Sequence, residues 1–350
     1  MFFLSAILIS FLISFILTPL VRNFFISRSW VEDPAKKQRL THNATALKPV
    51  PRGGGIPVFI SLIFTCLLFL SPFDQHLLGI FLASFLALVI GVIDDIRDIS
   101  PKLRLFFNFL SAVIVVISGI GIAFISNPFG GVIDLSFPRL NFDLFGPRSF
   151  WLAADILAIF WIVWCQNIVG WAAGVEGQLP GFVVISSVFI GLLGLKYSAD
   201  IAQWPVIILA GAVAGSYLGF LPYNFFPQSI MPGYSGKSLA GFFLAVLSIL
   251  SGAKLATLIL LLGIPMIDAV FVIFRRLRSR RSLLVSDANH LHHQLLKIGW
   301  SRRQIAVFYW AVTFFLGALS LFLNSTQKLY AFIGLFFLFL GFTLKAFRRI

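Results

Sequence analysis

LLGIFLASFLALVIGVIDDIRDIS, residues 77–100, decides how the rest of the chain is read. Leu77 to Ile93 is an apolar run long enough to cross a membrane, and it delivers Asp94, Asp95 and Asp98 at its end. An Asp at mid-bilayer costs about 2.5–3.5 kcal/mol. These carboxylates therefore belong at the membrane edge, in a wet cavity, or on a cation. If the helix continues through them, Asp94 and Asp98 share a face at i,i+4, and Asp95 and Asp98 at i,i+3. Three like charges this close repel one another. A divalent ion such as Mg²⁺ relieves that, taking one or two protein carboxylates and completing its shell with phosphate and water. The other reading of the same spacing is an acidic juxtamembrane loop balanced by Arg97, Lys102 and Arg104.

Composition sets the class. Hydrophobic residues make up 59% of the 350 and charged residues 11%, with a mean hydropathy of +0.97. A soluble domain carries roughly a quarter charged residues. The expectation is an all-α integral membrane protein, a polytopic bundle forming one transmembrane domain over residues 1–350. The formal charge of +14 could point to nucleic acid, but the basic residues lie in short loops between apolar runs. There they set orientation and meet anionic headgroups, so no nucleic-acid partner is expected. Cys66 and Cys165 sit inside apolar runs without pairing or metal spacing.

Apolar runs recur at 2–21, 55–71, 77–93, 105–125, 151–169, 181–195, 204–221, 239–250, 255–274, 306–323 and 329–344. That is about eleven transmembrane helices on the ~20-residue criterion. The first run lacks a basic leader and a small-residue cleavage site, so it is expected to be a retained span. Placing alternate loops on opposite sides leaves only Arg139, Arg148, Lys196, Lys254 and Lys328, of 27 Lys and Arg, on one side. By the positive-inside rule the other side is cytoplasmic. The expected arrangement is a multi-pass plasma-membrane protein with its N-terminus outside and a cytoplasmic-face active site. The long outer loop, 126–150, reads as a small hairpin or re-entrant cap.

The cytoplasmic loops hold the chemistry. In KKQRLTHNATALKPVPRGGGIPVF (36–59), Lys37, His42 and Arg52 supply cations, and Gly53 to Gly55 let backbone approach a ligand. A phosphate needs such convergence of N–H groups and cations; a headgroup-binding basic linker would look the same. WCQNIVGWAAGVEGQLPG (164–181) is broken by Gly170, Gly174, Gly177 and Pro180, and carries Asn167 and Glu176 as oxygen ligands. Broken helices at a membrane edge line cavities, since bare backbone cannot face lipid. YNFFPQSIMPGYSGKSLAG (223–241) offers Asn224, Tyr234, Ser235 and Lys237. The last loop, 275–304, gathers three of the chain's five His, at 290, 292 and 293, behind Asp287. Such a cluster suits either a Zn²⁺ site or, with the neighbouring Arg residues, a nucleotide pyrophosphate.

In order along the chain, these loops resemble the polyprenyl-phosphate N-acetylhexosamine-1-phosphate transferases of the glycosyltransferase family 4 type. PRGGGIPVF is similar to the family's Pro-Arg-x-Gly-Gly, and GVIDDIRDISPKLR to its Asp-Asp-x-x-Asp signature. IPMIDAVFVIFRRL with DANHLHHQLLKIG is similar to its C-terminal His-x-His-His loop. The resemblance runs from about Asp33 to Trp300 and implies transfer of a sugar-1-phosphate from a UDP-sugar to a polyprenyl phosphate, with release of UMP. Mg²⁺ is the implied cofactor, with Mn²⁺ as substitute, and a homodimer is compatible with it. Asp94 and Asp95 would handle metal and lipid phosphate, with Asp98 nearby. His290, His292 and His293 would hold the nucleotide-sugar phosphates, and Asp268 and Arg276 match family positions. The His-x-His-His form is closer to the N-acetylglucosamine-1-phosphate branch than to the muramoyl-pentapeptide branch.

Two stretches depart from the family pattern. Asn-x-x-Asn-x-x-Asp-Gly-x-Asp-Gly is replaced by Asn167, Gly170, Ala173-Gly174 and Glu176-Gly177. Met-Gly-Asp-x-Gly-Ser is replaced by Pro232-Gly233-Tyr234-Ser235-Gly236-Lys237, putting Tyr234 where the family has an Asp thought to bind metal. The expected metal shell is therefore rebuilt from Asp94, Asp95, Asn167 and Glu176, with Lys237 offering a cation to phosphate. The rival readings are a lipid-carrier-binding scaffold without transferase activity and a lipid flippase or transporter.

Overall fold

A computed structural model describes residues 1–34, 48–70, 74–127, 130–143, 147–201, 203–251, 255–280 and 290–347. The helices, numbered in chain order, are α1 (Phe2–Ser27), α2 (Gly55–Phe69), α3 (Gln75–Arg97), α4 (Pro101–Ile117), α5 (Leu152–Trp171), α6 (Gln178–Lys196) and α7 (Gln203–Asn224). They continue with α8 (Gly233–Leu250), α9 (Leu255–Leu261), α10 (Gly263–Arg278), α11 (Leu291–Lys297), α12 (Arg302–Ser320) and α13 (Ser325–Phe347). The chain is an all-α membrane protein.

Among the described residues, seven helices are long and apolar enough to cross a membrane: α1, α3, α5, α6, α7, α8 and α12. The pair α9–α10, bent by 80°, makes an eighth if it is one span. The expected eleven is not reached on this criterion, because the sequence count gave every apolar run a full helix. Helix α2 has only 15 residues, α4 has 17 with Lys102 and Arg104 in its first turn, and the described apolar stretch of α13 is Ser325–Gly341. The α9–α10 break falls at Leu262, before Gly263 and Pro265. Pro lacks an N–H and fits the first turn of a new helix better than the middle of a continuous one.

Helix α8 is the hub. Of its apolar window 83% is buried, against 22% for α1. It packs on α3 and α5, while α7 packs on α1 and α6. The α3–α8 crossing depends on Gly91, where a Cβ would run into the Ser235 backbone. That close approach sets the last turn of α3, with its two Asp residues, against the first turn of α8.

Local capping sharpens the corner after α3. The Asp74 carboxylate opens the helix by accepting from Leu77 N–H at 2.7 Å. Asp98 closes it in the left-handed region (φ 49°), its N–H donating to the Asp94 carbonyl. Asp98 is thus outside the helix, correcting the expectation of a shared i,i+4 face. Ser100 then caps α4, with Pro101 at its first position. The chain turns within three residues and brings Arg104 back to Asp94.

Short strands finish the frame. β1 (Val31–Glu32) pairs antiparallel with β2 (Val50–Pro51). Arg52 continues β2 as a parallel bridge to Met231. On the 126–150 side, β3 (Phe124–Ser126) pairs with β4 (Val132–Asp134), and β5 (Arg139–Asp143) with β6 (Pro147–Trp151). The expected hairpin is therefore two hairpins.

Candidate active site

The acidic signature is built around an arginine 42 residues upstream. Arg52 is carried on the β2 extension, which the Met231 N–H to Pro51 carbonyl and Gly54 N–H to Met231 carbonyl bonds (2.9 and 3.1 Å) fasten to the loop before α8. Its Nη1 donates to Asp98 at 2.7 Å, its Nη2 lies 3.5 Å from Asp94, and its Nε is 3.6 Å from both Asp95 and Glu32. Burial works against its charge, but Asp95, Glu32 and Asp98 outweigh it and raise the guanidinium further above its ordinary range.

Asp94 is fully buried. One oxygen lies 2.6 Å from Arg104 Nε and accepts from the Ile99 N–H at 3.1 Å. The Arg104 contact is ionic rather than a linear hydrogen bond. Asp95 is used differently. It accepts from Tyr234 N–H at 2.6 Å, Ser235 N–H at 3.3 Å and Ser235 Oγ at 2.5 Å, so it caps α8 from another helix. Gly233 permits this: it holds φ +66°, and a Cβ there would occupy the carboxylate's place.

Tyr234 fills the ground between α3, α4 and α8. Its hydroxyl donates to Asn108 Oδ1 at 3.0 Å, and the Arg104 guanidinium lies 5.1 Å above its ring. Asn108, Ser111, Gln166 and Ser238 extend this contact as a buried polar chain between α4, α5 and α8.

The first departing stretch meets the second in a cleft lined by Ala173, Gly174, Glu176, Asn224, Pro232 and Lys237. Gln178 Oε1 takes the N–H groups of Gly174 and Val175, and Asn224 Oδ1 takes that of Gly177 at 3.0 Å. Glu176 is buried and pairs with Arg302 of α12 at 2.9 Å. Asn167 donates back to the Val163 carbonyl at 2.7 Å.

The His loop docks on this cleft. Asp268 of α10 accepts from Leu291 N–H and meets His290 Nδ1, both at 2.8 Å. The His290 ring stacks 5.7 Å from His292, and His292 is 4.2 Å from His293. His292 lies against Gly174, where a Cβ would enter its ring. Burial pushes His292 well below its ordinary value, and positive charge at His293, His290 and Lys237 adds to this. Arg276 is buried on α10. Lys37, His42 and Asp287 lie outside the described residues.

The metal shell expected from Asp94, Asp95, Asn167 and Glu176 does not fit this arrangement. Among the described residues no three His, Cys, Asp or Glu side chains converge where they could hold a metal ion. Asp94 is clamped by two guanidiniums, Asp95 has both oxygens engaged by α8, and Glu176 belongs to Arg302. The residue between them, Tyr234, is a neutral donor. Two unit charges of like sign at 4 Å repel by about 4 kcal/mol at an effective dielectric of 20, and a divalent ion beside Arg52 and Arg104 would meet more than that.

Sequence reading missed Glu32, Asn108 and Arg302, and took Arg104 only as a counter-charge. Each acts on a partner far along the chain, with no local spacing to reveal it. A signal did exist for Arg104, an Arg one turn into a helix opened by Ser-Pro directly after an acidic cluster.

The chain is similar to a probable undecaprenyl-phosphate N-acetylglucosaminyl 1-phosphate transferase of Bacillus subtilis, at 28% identity over 96% of this chain and 88% of that protein. It is similar to the decaprenyl-phosphate N-acetylglucosaminephosphotransferase of Mycobacterium tuberculosis, at 24% identity over 82% and 76%. A phospho-N-acetylmuramoyl-pentapeptide-transferase of Bacillus pumilus matches at 26% over 92% and 97%. Residues 77–252, which carry the acidic signature, both departing stretches and the hub helix, match the model of glycosyl transferase family 4, and the chain belongs to that family.

Proposed function

We propose that this protein transfers an N-acetylhexosamine 1-phosphate, N-acetylglucosamine 1-phosphate in the first instance, from a UDP-sugar to a polyprenyl phosphate such as undecaprenyl phosphate. The observation that carries the reading is convergence. Arg52, the Asp94–Asp98 cluster, the 173–177 and 232–237 stretches and the His290–His293 loop are brought together by direct contacts. In the relatives, polyprenyl phosphates and N-acetylated sugars recur in the names.

The chemistry asks for charge cancellation and in-line alignment. An oxygen of the lipid phosphate forms a bond to the sugar-bearing phosphorus. The bond from that phosphorus to the bridging oxygen breaks, and its electron pair leaves on UMP. Lys237, Arg276, His290 and His293 hold the diphosphate, with Asp268 fixing His290 so that its outer nitrogen meets phosphate. Asp94 and Asp98 act through the arginines they orient. On this reading the protein lies in the plasma membrane with its N-terminus outside and this site in the cytoplasm, as the charge asymmetry of its loops supports. Counting α2, α4 and α13 with the eight apolar spans gives the eleven crossings that this orientation needs.

The test is UMP release by membranes containing the protein, given UDP-N-acetylglucosamine and undecaprenyl phosphate. UDP-N-acetylmuramoyl-pentapeptide as donor separates the two branches. One observation favours a scaffold that binds the lipid carrier without turning it over: Tyr234 and Ala173 replace acidic residues of the family pattern. Absence of UMP release with either donor would favour it.

A further inference from the structure

The carboxylates of this site already have cations, and those cations are side chains. Resting on the transferase reading, we infer that the Arg104 guanidinium, seated on Tyr234, neutralises the reacting phosphate in place of a carboxylate-bound divalent ion.

Arg52 and Arg104 differ in what they have left to offer. The Arg52 side chain is only 11% exposed and stands among Glu32, Asp94, Asp95 and Asp98. It holds the cluster together. Arg104 is 28% exposed and has one close ionic contact, Nε to Asp94; its Nη2 is 3.8 Å from Asp98. Nε is thus anchored on Asp94, while Nη2 stands more than an ångström farther from its own carboxylate, Asp98. The Nη edge is the planar two-nitrogen fork that matches a phosphate.

The support beneath it is rigid. Arg104 rests on the Tyr234 ring at 5.1 Å, Tyr234 is tied to Asn108 at 3.0 Å, and Asn108 is buried on α4 one turn beyond Arg104 itself. Asp94, which orients Nε, is in turn held by Arg52 and by the Ile99 N–H. An Asp at 234 would instead add a carboxylate beside Asp94 and Asp95, and would give up the aromatic seat. Tyr234 and the clamped Asp94 are therefore two parts of one device: each removes a place for a metal, and together they aim a fixed charge. The ligand is a phosphate group, either the lipid monoester or the nucleotide diphosphate.

Two measurements on the full-length protein in detergent test this. In the first, Mn²⁺ is titrated and its free solution EPR signal followed. Wild type is expected to leave that signal undiminished at one equivalent, while Tyr234→Asp takes up Mn²⁺. Stoichiometric uptake by wild type that is lost in Asp94→Asn overturns the inference. The second measures binding of UDP-N-acetylglucosamine and of a short-chain polyprenyl phosphate, each in EDTA. Arg104→Gln is expected to weaken one of them by about tenfold to a hundredfold, the range for a charge-assisted hydrogen bond, and the one weakened names the phosphate. Unchanged affinity for both, or wild-type binding abolished by EDTA, overturns it. UMP release is scored separately. Mn²⁺ uptake by an active wild type sinks the arginine assignment and leaves the transferase reading. EDTA-resistant, Arg104-dependent binding without UMP release does the reverse.

Discussion

Asp95→Asn should unfold the protein more readily than the same change at Asp94 or Asp98, although all three lie in one short signature. Asp95 accepts three hydrogen bonds from the first turn of α8, the most buried span, and meets Arg52 at 3.6 Å. An Asn can accept with its oxygen but turns an NH₂ group toward another donor. Losing a helix cap costs about 1 kcal/mol. Breaking a buried ion pair costs about 3–5 kcal/mol when the partner is left uncompensated. Arg52 keeps Asp94, Asp98 and Glu32, so the lower end applies and the total is about 3–4 kcal/mol.

Asp98 is the contrasting case, with a side chain 63% exposed. An ion pair that open is worth about 0–1 kcal/mol. Asp94 falls between, since its loss strands a buried Arg52 less and a half-exposed Arg104 more. Thermal unfolding of the three Asn variants in one detergent, followed by intrinsic fluorescence, reads the order. At roughly 2 °C per kcal/mol for a large domain, Asp95→Asn should melt about 6–8 °C below wild type, and Asp98→Asn within about 2 °C. A melting loss for Asp98→Asn equal to or above that of Asp95→Asn would refute the capping role.

Gly174→Ala should lower UMP release by more than tenfold, because its methyl enters the His292 ring and overpacking costs about 1–3 kcal/mol; wild-type turnover would show that His292 has room to move. Glu176→Gln should raise the KM for UDP-N-acetylglucosamine by loosening Arg302 from the cleft, while leaving the response to EDTA as in wild type. A shift in metal response alone would instead make Glu176 a ligand. The pH dependence of stability should carry a His292 contribution of defined sign. The folded state keeps His292 neutral well below its ordinary 6.5, so below that value the unfolded chain binds the extra proton. Stability is then lost as pH falls through about 6.5, and His292→Asn should flatten the melting profile between pH 7.5 and 5; identical slopes would count against it.

What could be read from the sequence was the membrane class and the grouping of the loops. Apolar runs and charge asymmetry are properties of single segments, and they survive whatever the tertiary packing does. The acidic signature was placed correctly at a helix end, yet its electrostatics were misjudged. Like-charge repulsion among Asp94, Asp95 and Asp98 suggested a metal, whereas Arg52 and Arg104 are the counter-ions. Arg52 reaches them only because β2 is pinned to the Met231 loop, which no spacing rule reports. The Asp98 turn was legible in principle, since Ser100-Pro101 signals a new helix start. The His290–Asp268 pair joins α10 to the start of α11 across 22 residues, and only the family resemblance put Asp268 in view.

If this site moves a sugar phosphate onto a lipid phosphate, the identity of the products reports it directly. Membranes or purified protein given UDP-N-acetylglucosamine labelled in the sugar, with undecaprenyl phosphate, should transfer the label to a lipid extract in step with UMP, one for one. Arg104→Gln should suppress both products together. Release of UMP without a labelled lipid, or no release from wild type with either UDP-N-acetylglucosamine or the muramoyl-pentapeptide donor, would contradict transfer at this site.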